Sequence, residues 1–281
     1  MEEIPCNDLD EAIDHYTKQL GYRLDMIFPA ENPREALLSE PPAVAGGLSS
    51  DTTISNRPHA IRLKLANAHV QPPATAGGSD WIVGRAGMEY RDLIPGRLGG
   101  KVIASHIRLT EGGEVPDYVH YHKVDFQMIY CKKGRIKVVY EDQGPPFWLE
   151  TGDCVLQPPE IRHRVLECTA GAEVIEVSMP AEHETWVEHD IMLPTSQIKP
   201  DRDFRGQKFC KSDAFRRSAL TAEAGTLTAC DLGIAAATSG RYNAFVRRIR
   251  IEEELPANSA GEQQTLLFFR ISDTEMLEIV L

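Results

Sequence analysis

Between about residues 88 and 180 the chain breaks into short β-branched and aromatic runs separated by turn residues: "KVIASHIRL", "FQMIYC", "RIKVVYE", "FWLE", "DCVLQP", "RHRVLEC" and "EVIEVSM". Runs this short cannot each bury a face alone, and closely spaced strands of this kind fold as a sandwich or barrel. The region therefore reads as a β-barrel of about ninety residues in a chain of 281.

The flanking segments read differently. In residues 1–70, Asn7-Asp8 suits a helix cap. Leu9, Ala12, Ile13, Tyr16 and Leu20 follow at helical spacing, and Gly21 stands at the C-cap position. Strands are expected at residues 22–27 and 60–65, with a loop rich in Pro, Gly, Ser and Asn over 28–58 and another over 71–88. Residues 181–225 read as polar and irregular. From 226 to 281 strands return. "CDLGIAAATSGRYNAFVRRIRI" echoes "RDLIPGRLGGKVIASHIRL", which marks an internal repeat: a partial second barrel unit that stops before its second half.

Net charge is −12, so phosphate backbones and anionic membrane surfaces are poor partners, and no nucleic acid or membrane association is expected. The N-terminus has neither the basic nor the apolar segment of a secretory signal. The six cysteines are scattered without a CxxC pair, which suits free thiols and a cytoplasmic location.

The chemistry concentrates in "GGEVPDYVHYHKVDFQMIYCKKG". His120 and His122 are one residue apart, and on a strand such residues share a face. Both imidazoles can therefore address one ion. Gln127 lies five residues on and Gly134 seven further. Downstream, "GDCVLQPPEIRHRVLE" holds Gly152, Pro158 and His163.

This two-part spacing resembles the paired motifs of the cupin superfamily. The resemblance implies a mainly β fold, an RmlC-like jelly-roll barrel over 88–180 binding one divalent metal through His120, His122 and His163. It places Gln127 at the fourth, partly catalytic, ligand position. Three departures accompany it: Gln127 stands where the family has Glu, Glu160 where it has Gly, and Glu167 where it has Asn. The first motif glycine is also shifted by one, to Gly113. The opening stretch "CNDLDEAIDHYTKQLGYRLDMIFPAENP" resembles a module of the glyoxalase or vicinal-oxygen-chelate family, with a structural or dimerising role expected.

Imidazole ligands suit several ions. Fe(II) is favoured, with Zn, Ni, Mn or Cu open. Three neutral ligands invite a small chelating substrate such as a diketone, enol or phenol. Cupins with iron on histidines alone are known as dioxygenases, so the resemblance implies an oxidoreductase. A redox-neutral cyclase, isomerase or lyase is the alternative, and a non-enzymatic binding module the third. The second reading needs a proton-transfer group, and no base stands out near the motif. Around the ligands, Tyr121, Arg162 and Arg164 are expected to face away. Asp125 is a candidate acceptor for a ligand N–H, and His106 is a core or surface residue. His183 and His189 are expected at the surface. The apolar strands after residue 226 are expected to pack on the barrel or across a two-fold axis, giving a homodimer.

Overall fold

The computed structural model describes residues 1–42, 58–66, 81–84, 87–215, 217 and 229–281. The expectations for residues 43–57, for most of the 71–88 loop and for residues 218–228 lie outside the described residues.

The N-terminal unit comprises β1 (Glu2–Cys6), α1 (Leu9–Asp14), β2 (Arg23–Phe28), β3 (Glu35–Ser39) and β4 (Ala60–Leu65). The Asp8 carboxylate accepts from the Glu11 backbone N–H at 2.9 Å, as an N-cap should. The helix continues as a π turn over His15–Gln19, and Gly21 follows at φ 75°. Strand β3 corrects the expected loop. Ala36 and Leu38 alternate with Glu35, Leu37 and Ser39, and both are fully buried with Ile61 and Leu63. The surrounding Pro and Gly residues hid this period-two pattern. In the sheet, β4 lies between β1, to which it is parallel, and β3.

The barrel follows as β5 (Ile82–Val83), β6 (Glu89–Asp92), β7 (Ile103–Leu109), β8 (Gly113–Glu114), β9 (His120–His122), β10 (Phe126–Lys133) and β11 (Arg135–Tyr140). It continues through β12 (Phe147–Glu150), β13 (Cys154–Leu156), β14 (His163–Cys168), β15 (Ala172–Met179), β16 (Thr185–Val187) and β17 (Cys210–Ser212). One sheet runs β17-β13-β10-β15-β7-β6-β5. The other runs β1-β4-β3-β2-β16-β9-β14-β11-β12. The N-terminal unit and half of the barrel are thus one continuous sheet, joined where β16 pairs with β2 on one side and β9 on the other. Residues 181–225 are therefore not wholly irregular: β16 and β17 were hidden because three-residue strands carry almost no periodicity.

Alternation assigns the two faces of β10. Ile129 and Cys131 join the core between the sheets, with Ile107, Val138 and Val174. Phe126, Met128 and Tyr130 join the core on the outside. That outer core is closed by a third sheet of β18 (Ala229–Asp231), β19 (Asn243–Arg248), β20 (Ser259–Ala260), β21 (Thr265–Ser272) and β22 (Glu275–Val280). Leu267, Phe269, Leu277 and Ile279 pack there, so the apolar C-terminal strands find their partner within the chain. Among the described residues, no helix is long and apolar enough to cross a membrane.

Candidate metal centre

Strand β9 lies between β14 and β16. His120 stands directly opposite His163 of β14, and His122 directly opposite Thr185 of β16. Residues paired across neighbouring strands point to one face, so the sheet register brings the two motifs together. The three imidazoles are buried, and their ligand nitrogens all lie within 4.8 Å of one another. Ring centroids are 5.1 Å apart for His120–His122, 4.3 Å for His120–His163 and 5.3 Å for His122–His163.

Each ring is oriented through Nδ1. That of His120 is 2.8 Å from the Tyr118 carbonyl oxygen, and that of His163 is 3.0 Å from the Ile161 carbonyl oxygen. A carbonyl only accepts, so both rings carry their proton on Nδ1 and keep a lone pair on Nε2. Nδ1 of His122 is 2.9 Å from Thr185 Oγ1. Fixing the outer nitrogen in this way is the usual support of a metal-binding histidine. The buried Asp117 ties the strands together, accepting from the Val165 N–H at 2.9 Å. Tyr140 stacks on His163 at 5.6 Å, and burial holds its phenol well above the ordinary value.

Two buried polar groups lie against this cluster. Gln157 is 0% exposed, and its amide Nε2 is 3.0 Å from Nε2 of His163. Its Oε1 has no hydrogen-bond partner among the described residues. His183 is buried, not at the surface as expected. Its ring lies 5.4 Å from that of His122, and burial pulls it down to about 4. It is enclosed because the 181–184 turn is clamped by the N-terminal unit: the Ala30 N–H donates to the His183 carbonyl, and Arg34 pairs with Glu182 at 2.8 Å.

The cavity beside the histidines has a volume of about 70 Å³. Its walls are mostly aliphatic, but Glu31 and Glu176 also line it. On β7 and β15, alternation places Ser105 and Glu176 on the inner face. Ser105 Oγ donates to the Glu31 carboxylate, which comes from the β2–β3 turn of the N-terminal unit. Burial, with the neighbouring Glu176 adding to it, pushes the Glu31 carboxyl up to about 7. Gln127 is 1% exposed, on the inner face of β10, and its amide Nε2 donates to Glu176 Oε1 at 2.9 Å.

Other expected residues sort by alternation. Tyr121 turns away, beneath the Arg162 guanidinium at 4.4 Å and beside Trp186. Arg162 pairs with Glu188 at 2.9 Å. His106 is buried on the far face of β7, bonded to Arg91 and Glu173. His189 is exposed, as expected, with its Nε2 3.1 Å from Asp25 Oδ1. Asp125 is exposed and is not the acceptor for a ligand ring. The Tyr118 and Ile161 carbonyls and Thr185 fill that role. Glu160, standing where a glycine was expected, adopts φ 62° and pairs with Arg205 at 2.7 Å. A side chain in the left-handed region is costly, which explains why glycine suits that turn.

The donor set fits a divalent ion. Three buried imidazoles bring their ligand nitrogens within 4.8 Å of one another, two of them with Nδ1 fixed by a carbonyl, beside a buried amide oxygen that has no partner among the described residues. An antiparallel barrel with a His-x-His strand opposite a third histidine defines a jelly-roll protein of the metal-binding type. Residues 105–178 match the cupin domain family, so the metal-centre half of the barrel carries a cupin domain. Similar solved structures include an RmlC-like cupin from Shewanella frigidimarina, with 25% identity over 36% of this chain and 84% of that chain, TM-score 0.30. KdgF from Halomonas sp. has 19% identity over 36% of this chain and 87% of that one, TM-score 0.31. A deletion mutant of Bacillus subtilis oxalate decarboxylase has 12% identity over 61% and 56%, TM-score 0.40. No curated protein matches the chain. The family match does not reach the N-terminal unit, whose resemblance to a glyoxalase module rests on sequence alone.

Proposed function

We propose that the protein is a metal-dependent enzyme that moves a proton on a small oxygenated carbon compound, as an isomerase, lyase or cyclase does. One observation carries this reading: a carboxyl group, Glu31, lines the same small cavity as the three histidines. A divalent ion held by His120, His122 and His163 supplies Lewis acidity toward a substrate oxygen.

The chain's own residues supply the rest. Glu31 lies close to neutrality, where a group both takes and gives a proton efficiently. Ser105 Oγ, donating to one carboxylate oxygen of Glu31, steadies the ionised form and leaves the second oxygen for substrate. Gln127 donates to Glu176 and holds that carboxylate in place. Ile129, Val138 and Val174 form dry walls, which strengthens every polar contact within. The small volume and aliphatic lining suit a compact enol or carbonyl compound.

A second reading, a non-haem iron dioxygenase on a diketone, enol or phenol, is favoured by the donor set, since all three imidazoles are neutral ligands. The two are separated by reconstituting the protein anaerobically with Fe(II) and, separately, with Zn(II), then incubating each with small enolisable carbonyl compounds in deuterated water. Deuterium incorporation without oxygen supports the proton-transfer reading. Turnover only with iron and with oxygen uptake supports the dioxygenase and contradicts it.

A further inference from the structure

Gln157 follows β13, where Cys154 and Leu156 face the outer core and Val155 the inner one. Alternation therefore turns Gln157 inward, and its backbone N–H donates to the Gln127 carbonyl at 2.9 Å. Pro158 and Pro159 follow immediately, and the Ile161 N–H closes a turn onto the Pro158 carbonyl at 3.2 Å. The side chain is thereby fixed against His163 by rigid backbone on both sides.

Its amide has an unusual arrangement. Nδ1 of His163 carries the ring proton, so Nε2 accepts, and the Gln157 NH₂ donates to it at 3.0 Å. That leaves the amide oxygen buried with no partner among the described residues. An acceptor stranded in this way is costly and calls for an explanation. A half turn about the last side-chain bond exchanges the amide oxygen and nitrogen with little change in shape. The oxygen then takes the position that the nitrogen holds, 3.0 Å from Nε2 of His163. Two donors each about 2.1 Å from one ion, meeting at a right angle, stand about 3.0 Å apart. A separation that suits a hydrogen bond is thus equally that of two neighbouring ligands.

We propose that the Gln157 amide oxygen is the fourth protein donor to the divalent ion, in the place that motif spacing assigned to Gln127. Gln127 already gives its amide nitrogen to Glu176. In the metal-free protein the Gln157 NH₂ caps the His163 lone pair; in the loaded protein its oxygen faces the ion. The inference rests on the three-histidine centre and is independent of which reaction the centre performs.

Co(II) titration of the full-length protein, followed by visible absorption, tests it with Q157L, Q157E, Q127L and H122A. Thermal unfolding of each metal-free variant is read alongside. Q157L is expected to bind Co(II) at least tenfold more weakly, with a more intense visible band from the lower coordination number. Its metal-free unfolding midpoint should shift little, because the stranded oxygen and the amide donor to His163 are removed together. Q157E should bind at least as tightly as the parent, and Q127L should bind with the parent spectrum. Parent-like binding by Q157L overturns the proposal, as does a weakened and spectrally altered Q127L. A Q157L protein that loses metal-free stability together with affinity also overturns it, by showing a structural role. Should the parent and H122A bind Co(II) alike, the three-histidine centre itself is wrong, and that failure is distinct from the others.

Discussion

Thr185 Oγ1 lies 2.9 Å from Nδ1 of His122, and the same residue pairs across strands with His122 on one side and Ile27 on the other. The hydroxyl that orients one ring of the histidine cluster thus sits on the strand that joins the N-terminal unit to the barrel. T185V keeps the shape and removes the acceptor. It is expected to weaken metal binding by about tenfold or more, the usual effect of losing such a partner. T185S should stay close to the parent. Competition against a chelator of known affinity reads the difference, and equal affinity for T185V and parent would show that Thr185 does not support the ring.

Glu31 gives two linked pH effects. Its carboxyl lies near 7 in the folded protein against 4.5 for a free side chain. The folded state therefore holds a proton that the unfolded chain has released. The sign follows: this contribution to stability is intact below the unfolded value and is lost as pH rises through the folded value. E31Q cannot ionise, so relative to the parent it should gain up to about 3 kcal/mol between roughly pH 4 and pH 8. Urea unfolding at the two pH values measures this; a constant offset between the proteins contradicts it. On the catalytic side, a base at Glu31 makes kcat/KM rise as pH passes about 7. E31Q should lose that limb while keeping its metal, and an unchanged pH profile would remove Glu31 from the chemistry. The groups acting on Glu31 are Ser105, Glu176, Arg97 and Asp92, so R97Q should raise the apparent value further.

The C-terminal sheet covers an apolar wall rather than a site. Truncation ahead of Ala229 would expose Phe126, Met128, Tyr130, Ile175 and Val177, which now pack beneath Leu267, Phe269, Leu277 and Ile279. A patch of that kind drives association. The truncated chain is expected to aggregate, or to unfold at a markedly lower temperature, although His120, His122 and His163 all remain. A soluble, monodisperse truncated protein with the parent unfolding midpoint would show that the sheet has no such role.

Legibility in the sequence followed the reach of each interaction. His120 and His122 share a face by strand period alone, and motif spacing added His163, because the β9–β14 pairing that seats it is local to the barrel. The covered outer face was visible as apolar runs. Glu31 and Thr185 were not visible, since they act from outside the motif. Glu31 reaches the cavity from a turn whose neighbouring strand β3 is buried among loop-forming residues. Thr185 lies on a three-residue strand whose only signal is its pairing. His183 looked superficial because acidic neighbours surround it, yet the N-terminal unit closes over its turn. Gln157 lies inside a motif at a position that motif leaves unspecified.

Metal content after purification and reconstitution decides whether the three histidines form the centre. Parent protein loaded with Fe(II), Zn(II) or Co(II) and freed of excess should carry one ion per chain by elemental analysis. H120A, H122A and H163A should each retain little or none while keeping the parent far-ultraviolet circular dichroism. Full occupancy in H122A, or a parent that retains no ion under any of these conditions, would contradict the account.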